Sequence, residues 1–232
     1  MKRLCIALIL VGLVSLSAAN EFDRMKELES KGIQNPDLYY NLGVSYWQTG
    51  QSGMATLYFL KALHLNSAHK AAQENLNYTI NLSQDHELYP QRPFLLRVAL
   101  QTYDFMNLNR MAILCLVLLI LCALGFVWYV NYDPEREKGL PSLVLGILLV
   151  LMLLSVGFTG FKAYRRAHNV QAVLIESRAD LRTEARSDSP RVAQIHEGII
   201  LKLKQSEGEW TFVILPNGQT GWIEEKAIAR VK

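Results

Sequence analysis

Thiols are scarce in this chain of 232 residues, whose three cysteines are Cys5, Cys115 and Cys122. All three fall inside apolar runs, so no polar segment carries a thiol and a disulfide framework is excluded. Histidine is thin as well. His64, His69, His86, His168 and His196 are scattered, with no zinc-protease helix motif, nucleophile elbow or phosphate-binding glycine loop in the sequence. The expectation is a protein that is not an enzyme and needs no metal or cofactor. No basic stripe with interleaved aromatics appears either. Without Lys2 and Arg3 the net charge falls from +3 to about +1, which argues against nucleic acid as a partner.

Asp, Glu, Lys, Arg and His are also absent from two long apolar runs, residues 111–130 and 140–161. Each is about 20 residues long, and at 1.5 Å per residue that matches the roughly 30 Å hydrocarbon core of a bilayer. A buried charge costs about 2.5–3.5 kcal/mol in such a span and is kept where ions or protons move, so the charge-free runs read as an anchor rather than a conduit. Trp128, Tyr129, Tyr132 and Tyr164 stand at the ends as interfacial residues. Ser142 and Gly146 form a small-x-x-x-small pair that predicts close packing within the hairpin. Residues 131–139 are too few to fold, so the segments on either side of the hairpin face one compartment.

A third apolar stretch opens the chain. Lys2 and Arg3, the apolar core 4–16 and Ser17-Ala18-Ala19 read as a secretory signal peptide over residues 1–19. The charges beside the hairpin pull the other way: Arg136 and Lys138 in the loop are offset by Asp133, Glu135 and Glu137, while Arg92, Arg97, Arg110, Lys162, Arg165 and Arg166 flank it outside. The N-terminal signal engages the export machinery first. The expected arrangement is a membrane protein whose loop is cytoplasmic and whose two flanking modules are both exported.

From Asn35 the spacing is helical. Asn35 predicts an N-cap, Pro36 suits the first helical position and Asp37 favours the positive end of the helix dipole. Tyr39, Leu42, Gly43, Tyr46, Gly50, Ala55, Phe59 and Ala62 then fall at the packing positions of a tetratricopeptide repeat: small residues where two helices cross, large ones beside them, a glycine at the turn. Residues 22–33 read as the second helix of a preceding repeat, and 68–83 as a further helix capped by Ser67. Repeats of this kind need about three copies to bury enough apolar surface. The module over 20–89 is therefore expected to be completed by a partner protein or by self-association. The sequons at Asn77 and Asn81 fall within a predicted helix and read as chance. Residues 90–110 read either as a helix on the membrane surface or as a packed linker helix.

After Asn169 the period becomes two. Residues 172–175, 179–182, 191–195, 199–203, 210–215 and 221–224 read as short strands, and Asn217-Gly218 as a type I′ hairpin turn. Arg182, Gly198, Trp210, Asn217, Gly218, Gly221 and Trp222 together resemble a bacterial SH3-type domain over 170–232, with Trp222 in the core and Trp210 the more exposed aromatic. Nine basic and nine acidic residues balance from Gln171 onward, so electrostatics are not expected to drive ligand binding.

The fold class is therefore multi-domain: an all-α repeat module, a two-helix transmembrane hairpin and a small all-β barrel. This order of parts, with the stretch Gly32-Ile33-Gln34-Asn35-Pro36-Asp37-Leu38-Tyr39-Tyr40-Asn41-Leu42-Gly43, resembles the BatE family of the Bacteroides aerotolerance type. The resemblance implies an accessory protein of the bacterial inner membrane, with both soluble modules on the periplasmic side, working beside von Willebrand A-type membrane proteins and a MoxR-type ATPase in stress or oxygen tolerance. The leading expectation is a membrane-anchored interaction scaffold; the alternative is an envelope sensor whose barrel binds peptidoglycan or a cell-wall peptide.

Overall fold

The computed structural model describes residues 20–90, 93–95, 108–132, 139–168 and 170–231. The proposed signal peptide, most of the 90–110 stretch and residues 133–138 of the loop lie outside the described residues. Two compact units emerge: Met1–Arg92 together with Val170–Lys232, and Pro93–Asn169.

The first unit begins with four helices, α1 (20–30), α2 (Pro36–Gln48), α3 (Ser52–Leu65) and α4 (Lys70–Leu82). Asn35 Oδ1 accepts the amides of Asp37 and Leu38 at 2.8 and 3.2 Å, which starts α2. Gly32 and Gly50, at φ +77° and +78°, end α1 and α2 in Schellman turns. The expected cap of α4 is shifted. His69, not Ser67, caps it: His69 Nδ1 accepts the Ala72 amide at 3.1 Å, leaving the Nε2 proton to face Asp37 Oδ1 at 3.1 Å. The imidazole serves as cap because its ring also packs on Tyr40, 5.1 Å between centroids.

Phe59 is the keystone of the α2–α3 crossing. A Cβ on Gly43 would lie 2.6 Å from its ring, so only glycine admits the phenylalanine there. Tyr39, Leu42, Tyr46, Ala55 and Ala62 are buried around it, and Gly50 lies at the turn. Across α1 and α3, Glu29 accepts Lys26 Nζ and Tyr58 Oη, both at 2.6 Å, and Lys61 Nζ at 3.0 Å. Burial alone raises the Glu29 carboxyl, but the hydrogen bonds from Lys26, Tyr58 and Lys61 outweigh it and hold the group at about 2 instead of 4.5. A depressed carboxylate stabilises the fold above its unfolded value and loses that contribution as pH falls through its folded one. Glu29→Gln will therefore cost about 1–2 kcal/mol near neutrality, discounted for partial exposure, and the gap to wild type will close between pH 4.5 and 2 in urea titrations.

The same unit ends in seven antiparallel strands: β1 (Gln171–Leu174), β2 (Arg178–Arg182), β3 (Arg191–His196), β4 (Ile200–Glu207), β5 (Trp210–Ile214), β6 (Thr220–Glu224) and β7 (Ile228–Val231). Their order is β3-β2-β6-β5-β4-β1-β7. Three residues join β1 to β2 and one short 3₁₀ turn, Glu225–Ala227, joins β6 to β7, although each pair lies four places apart in the sheet. The sheet must therefore curl into an open barrel, and register shifts at Leu181/Arg182 and Leu203/Gln205 help it coil. Leu174, Leu181, Ile195, Ile199, Leu201, Val213 and Ile223 fill it.

Two local expectations change here. β7, too short and too mixed to carry a period-two signal, is a strand that closes on β1. The turn after β5 is not type I′, because glycines alone have positive φ among the described residues. Pro216, with its fixed φ, takes the first central position of a type I turn closed by the Gly218 amide on Leu215 O at 3.0 Å. Gly218 follows at φ +90° and Asn217 Oδ1 accepts the Gln219 amide.

The sheet also contributes to the helical core: Val173 and Val231 are buried among the helical residues, with Ile200 and Ala229 partly so. The missing packing surface of the short helical array is thus supplied by the chain's own sheet. Gly53, in the first turn of α3, makes this contact; a Cβ there would sit 2.7 Å from both Leu174 O and Glu197 Cγ. Glu197 Oε1 accepts the Gly53 amide at 2.7 Å, and no side chain of α3's own N-cap residue, Gln51, does so. Asp85 accepts the His196 amide at 2.5 Å and lies 3.0 Å from His196 Nδ1. Tyr89 Oη accepts the Ile200 amide at 2.9 Å, and burial pushes its phenol up to about 12.

The second unit holds α5 (Leu108–Asn131) and α6 (Gly139–His168), each long and apolar enough to cross a membrane. They pack on each other through Gly125 against Leu145 and Leu148, and through Cys115 Sγ at 3.1 Å from Ser155 Oγ. The Ser142–Gly146 pair does not mediate this packing. Among the described residues nothing lies within 4 Å of a Cβ on Gly146, because that face of α6 turns away from α5.

Candidate functional site

A cleft of about 400 Å³ opens on the barrel where β2 leaves β6. The two strands share one register pair, Arg182 with Trp222, while β2 stays paired to β3 along its length. Strand alternation turns Leu181 into the core and sets Arg178, Asp180 and Arg182 along one wall. Trp210 and Glu224 form the facing wall, with Ile223, Ala227 and Ala179 between and Glu176 and Gln194 at the rim.

The wall is held in place. Arg182 Nη1 donates to Ser189 O at 2.7 Å, and Ser189, itself buried, donates to the carbonyls of Glu184 and Arg186. Asp180 faces Arg182 at 3.6 Å and Arg191 at 3.4 Å. Glu224 pairs with Lys226 at 2.6 Å. Next to this wall, Glu225 accepts Arg230 Nε at 2.8 Å and the Thr211 hydroxyl, joining β5, the 3₁₀ turn and β7; the hydrogen bond from Arg230 holds its carboxyl below the usual range. With both signs of charge on the walls, the cleft suits a ligand carrying polar groups of both signs beside a flat apolar surface for Trp210.

Of the residues singled out by sequence, Arg182 and Trp210 come together in the cleft. Trp222 is buried, edge-on to Phe212 at 5.3 Å. Gly221 lets β6 pass β2, since a Cβ would meet Leu181 Cγ at 2.6 Å and Arg182 O at 2.7 Å. Gly198, at φ +89°, lies against Ser52 and Thr56 of α3, away from the cleft. Asn217 and Gly218 form the distant hairpin. Sequence reasoning missed Glu176, Arg178, Asp180, Gln194 and Glu224; the alternating charges Arg178-x-Asp180-x-Arg182 were the available signal. Among the described residues, no three His, Cys, Asp or Glu side chains converge as a metal site requires.

Compared with known families, residues 177–229 match the bacterial SH3 domain. The match runs from β2 to the start of β7 and takes in every residue of the cleft but Glu176. No curated protein matches the chain.

Proposed function

We propose that this chain is a membrane-anchored interaction scaffold, without catalytic activity, whose soluble unit holds a peptide segment of a partner protein in the cleft beside Trp210. The cleft carries the reading: its walls are preformed by Arg182 and Asp180, it offers an aromatic face, and it lies on the bacterial SH3 domain. The helices α1–α4 are read as a truncated tetratricopeptide array, and the whole as BatE-like, an accessory to von Willebrand A-type membrane proteins and a MoxR-type ATPase. Residues 1–19 are read as a signal peptide, α5 and α6 as an inner-membrane hairpin, and the soluble unit as periplasmic. That segments before and after the hairpin belong to one unit supports their sharing a compartment.

A photocrosslinking amino acid at Gln194, at the rim of the cleft, tests this in intact membranes. Protein adducts are the expected product. The match to a bacterial SH3 domain favours a second reading, in which the cleft holds a cell-wall peptide; adducts to cell-wall fragments alone, with co-sedimentation of the detergent-solubilised chain on purified sacculi, would replace the first reading with the second. On either reading Trp210→Ala will weaken capture by about tenfold, the loss of one aromatic contact, without lowering stability by more than about 1 kcal/mol.

A further inference from the structure

The junction between helices and sheet joins residues 111 and 144 positions apart, from opposite sides of the two apolar helices. We propose that it makes folding of the helical segment 20–90 conditional on insertion of the hairpin: α1–α4 reach their native state only when both apolar helices cross the membrane and return the sheet to the same face. This rests on reading α5 and α6 as membrane spans.

The dependence comes from what α3 lacks by itself. It is the central helix, burying Ala55, Leu57, Tyr58, Phe59 and Ala62, yet at 14 residues it is short for an isolated helix. The Gly53 amide in its first turn is served by Glu197 of the β3–β4 turn, whose carboxylate also complements the helix dipole. Val173 and Val231 complete its core from β1 and β7. Without the sheet, α3 loses this cap and this packing surface together, and Asp85 loses both its donors on His196. The sheet's dependence is smaller, because its ladder and its enclosed core of Leu174, Leu181, Ile195, Leu201, Val213 and Ile223 come chiefly from its own strands. If only the first span inserts, the sheet is stranded across the membrane and the helices stay unfinished and open to proteases, so a wrongly inserted chain marks itself for removal.

Pulse proteolysis of the full chain in freeze–thawed, leaky membrane vesicles, with protease on both faces, tests this. Deleting residues 140–161 is expected to lower the protease concentration that cleaves segment 20–90 by about tenfold, with resistance returning in detergent micelles, where the sheet can reach the helices again. Wild-type resistance of the deletion variant in vesicles overturns the proposal; so does failure to recover in detergent, since the deletion and not the side would then be the cause. Gly53→Ala, with both spans present, gives a second arm of opposite sign. Helix propensity alone favours alanine over glycine, whereas a Cβ at this position meets Leu174 O, so segment 20–90 is expected to become about tenfold more sensitive while the sheet stays resistant. Unchanged or greater resistance of Gly53→Ala overturns the proposal. The hairpin reading fails separately: thiol labelling of Asp23→Cys and Ser187→Cys from opposite membrane faces would sink that reading.

Discussion

Replacing Phe59 with alanine will destabilise the helical half of the first unit by about 3–5 kcal/mol, the cost of a large aromatic lost from a core that cannot collapse. The ring is 1 % exposed and fills the space left by the missing Cβ of Gly43, with Tyr40 6.0 Å away between centroids. Its neighbours Gly43, Ala55 and Ala62 have no side-chain length with which to refill the cavity, and the backbones of α2 and α3 are already in close approach. Phe59→Leu keeps most of the volume and will cost less, about 1–2 kcal/mol. Because the barrel has its own core, the far-UV helical signal will move to lower urea while amides of Val213 and Ile223 stay protected from exchange. A single coincident transition in the variant would contradict this separation of the two halves.

What was legible in the sequence was what local periodicity and capping encode. Tyr39, Leu42, Tyr46, Ala55 and Phe59 announce a helix pair because their spacing of three and four residues repeats, and Asn35-Pro36 announces where it starts. The strands read well where apolar residues alternate, as in β5, and poorly where they do not, as in β7 and the polar second half of β4. The turn at Asn217-Gly218 was displaced by one residue because Pro216 outweighs the asparagine–glycine preference for positive φ. The junction had no local signal at all. Gly53 reads as an ordinary weak helix residue, Glu197 as a turn residue and Asp85 as an acid near the end of the helical module; their chemistry appears only when 111 or 144 residues of separation are closed. The cleft was half legible, since Trp210 and Arg182 belong to a recognisable motif while Glu176, Gln194 and Glu224 come from three other places on the sheet and its turns.

The functional consequence is that a chain which reads as two modules has helices that rest on the sheet, and Asp85 is the side chain on which that dependence can be measured. Asp85→Ala will cost about 3 kcal/mol, because the carboxylate is 9 % exposed and its removal strands the His196 amide as well as the ring N–H. The two bonds can be separated. His196→Ala removes the ring but leaves the backbone amide, so a double-mutant cycle of Asp85→Ala with His196→Ala will return a coupling of about 1 kcal/mol, the share of the ring alone. The remaining loss, about 2 kcal/mol, belongs to the backbone amide and will persist in the His196→Ala background. Asp85→Asn, which keeps one acceptor oxygen but loses the charge, will fall between wild type and Asp85→Ala. A cycle in which the coupling equals the whole cost of Asp85→Ala would show that the backbone bond contributes nothing, and the clasp would then be the imidazole alone.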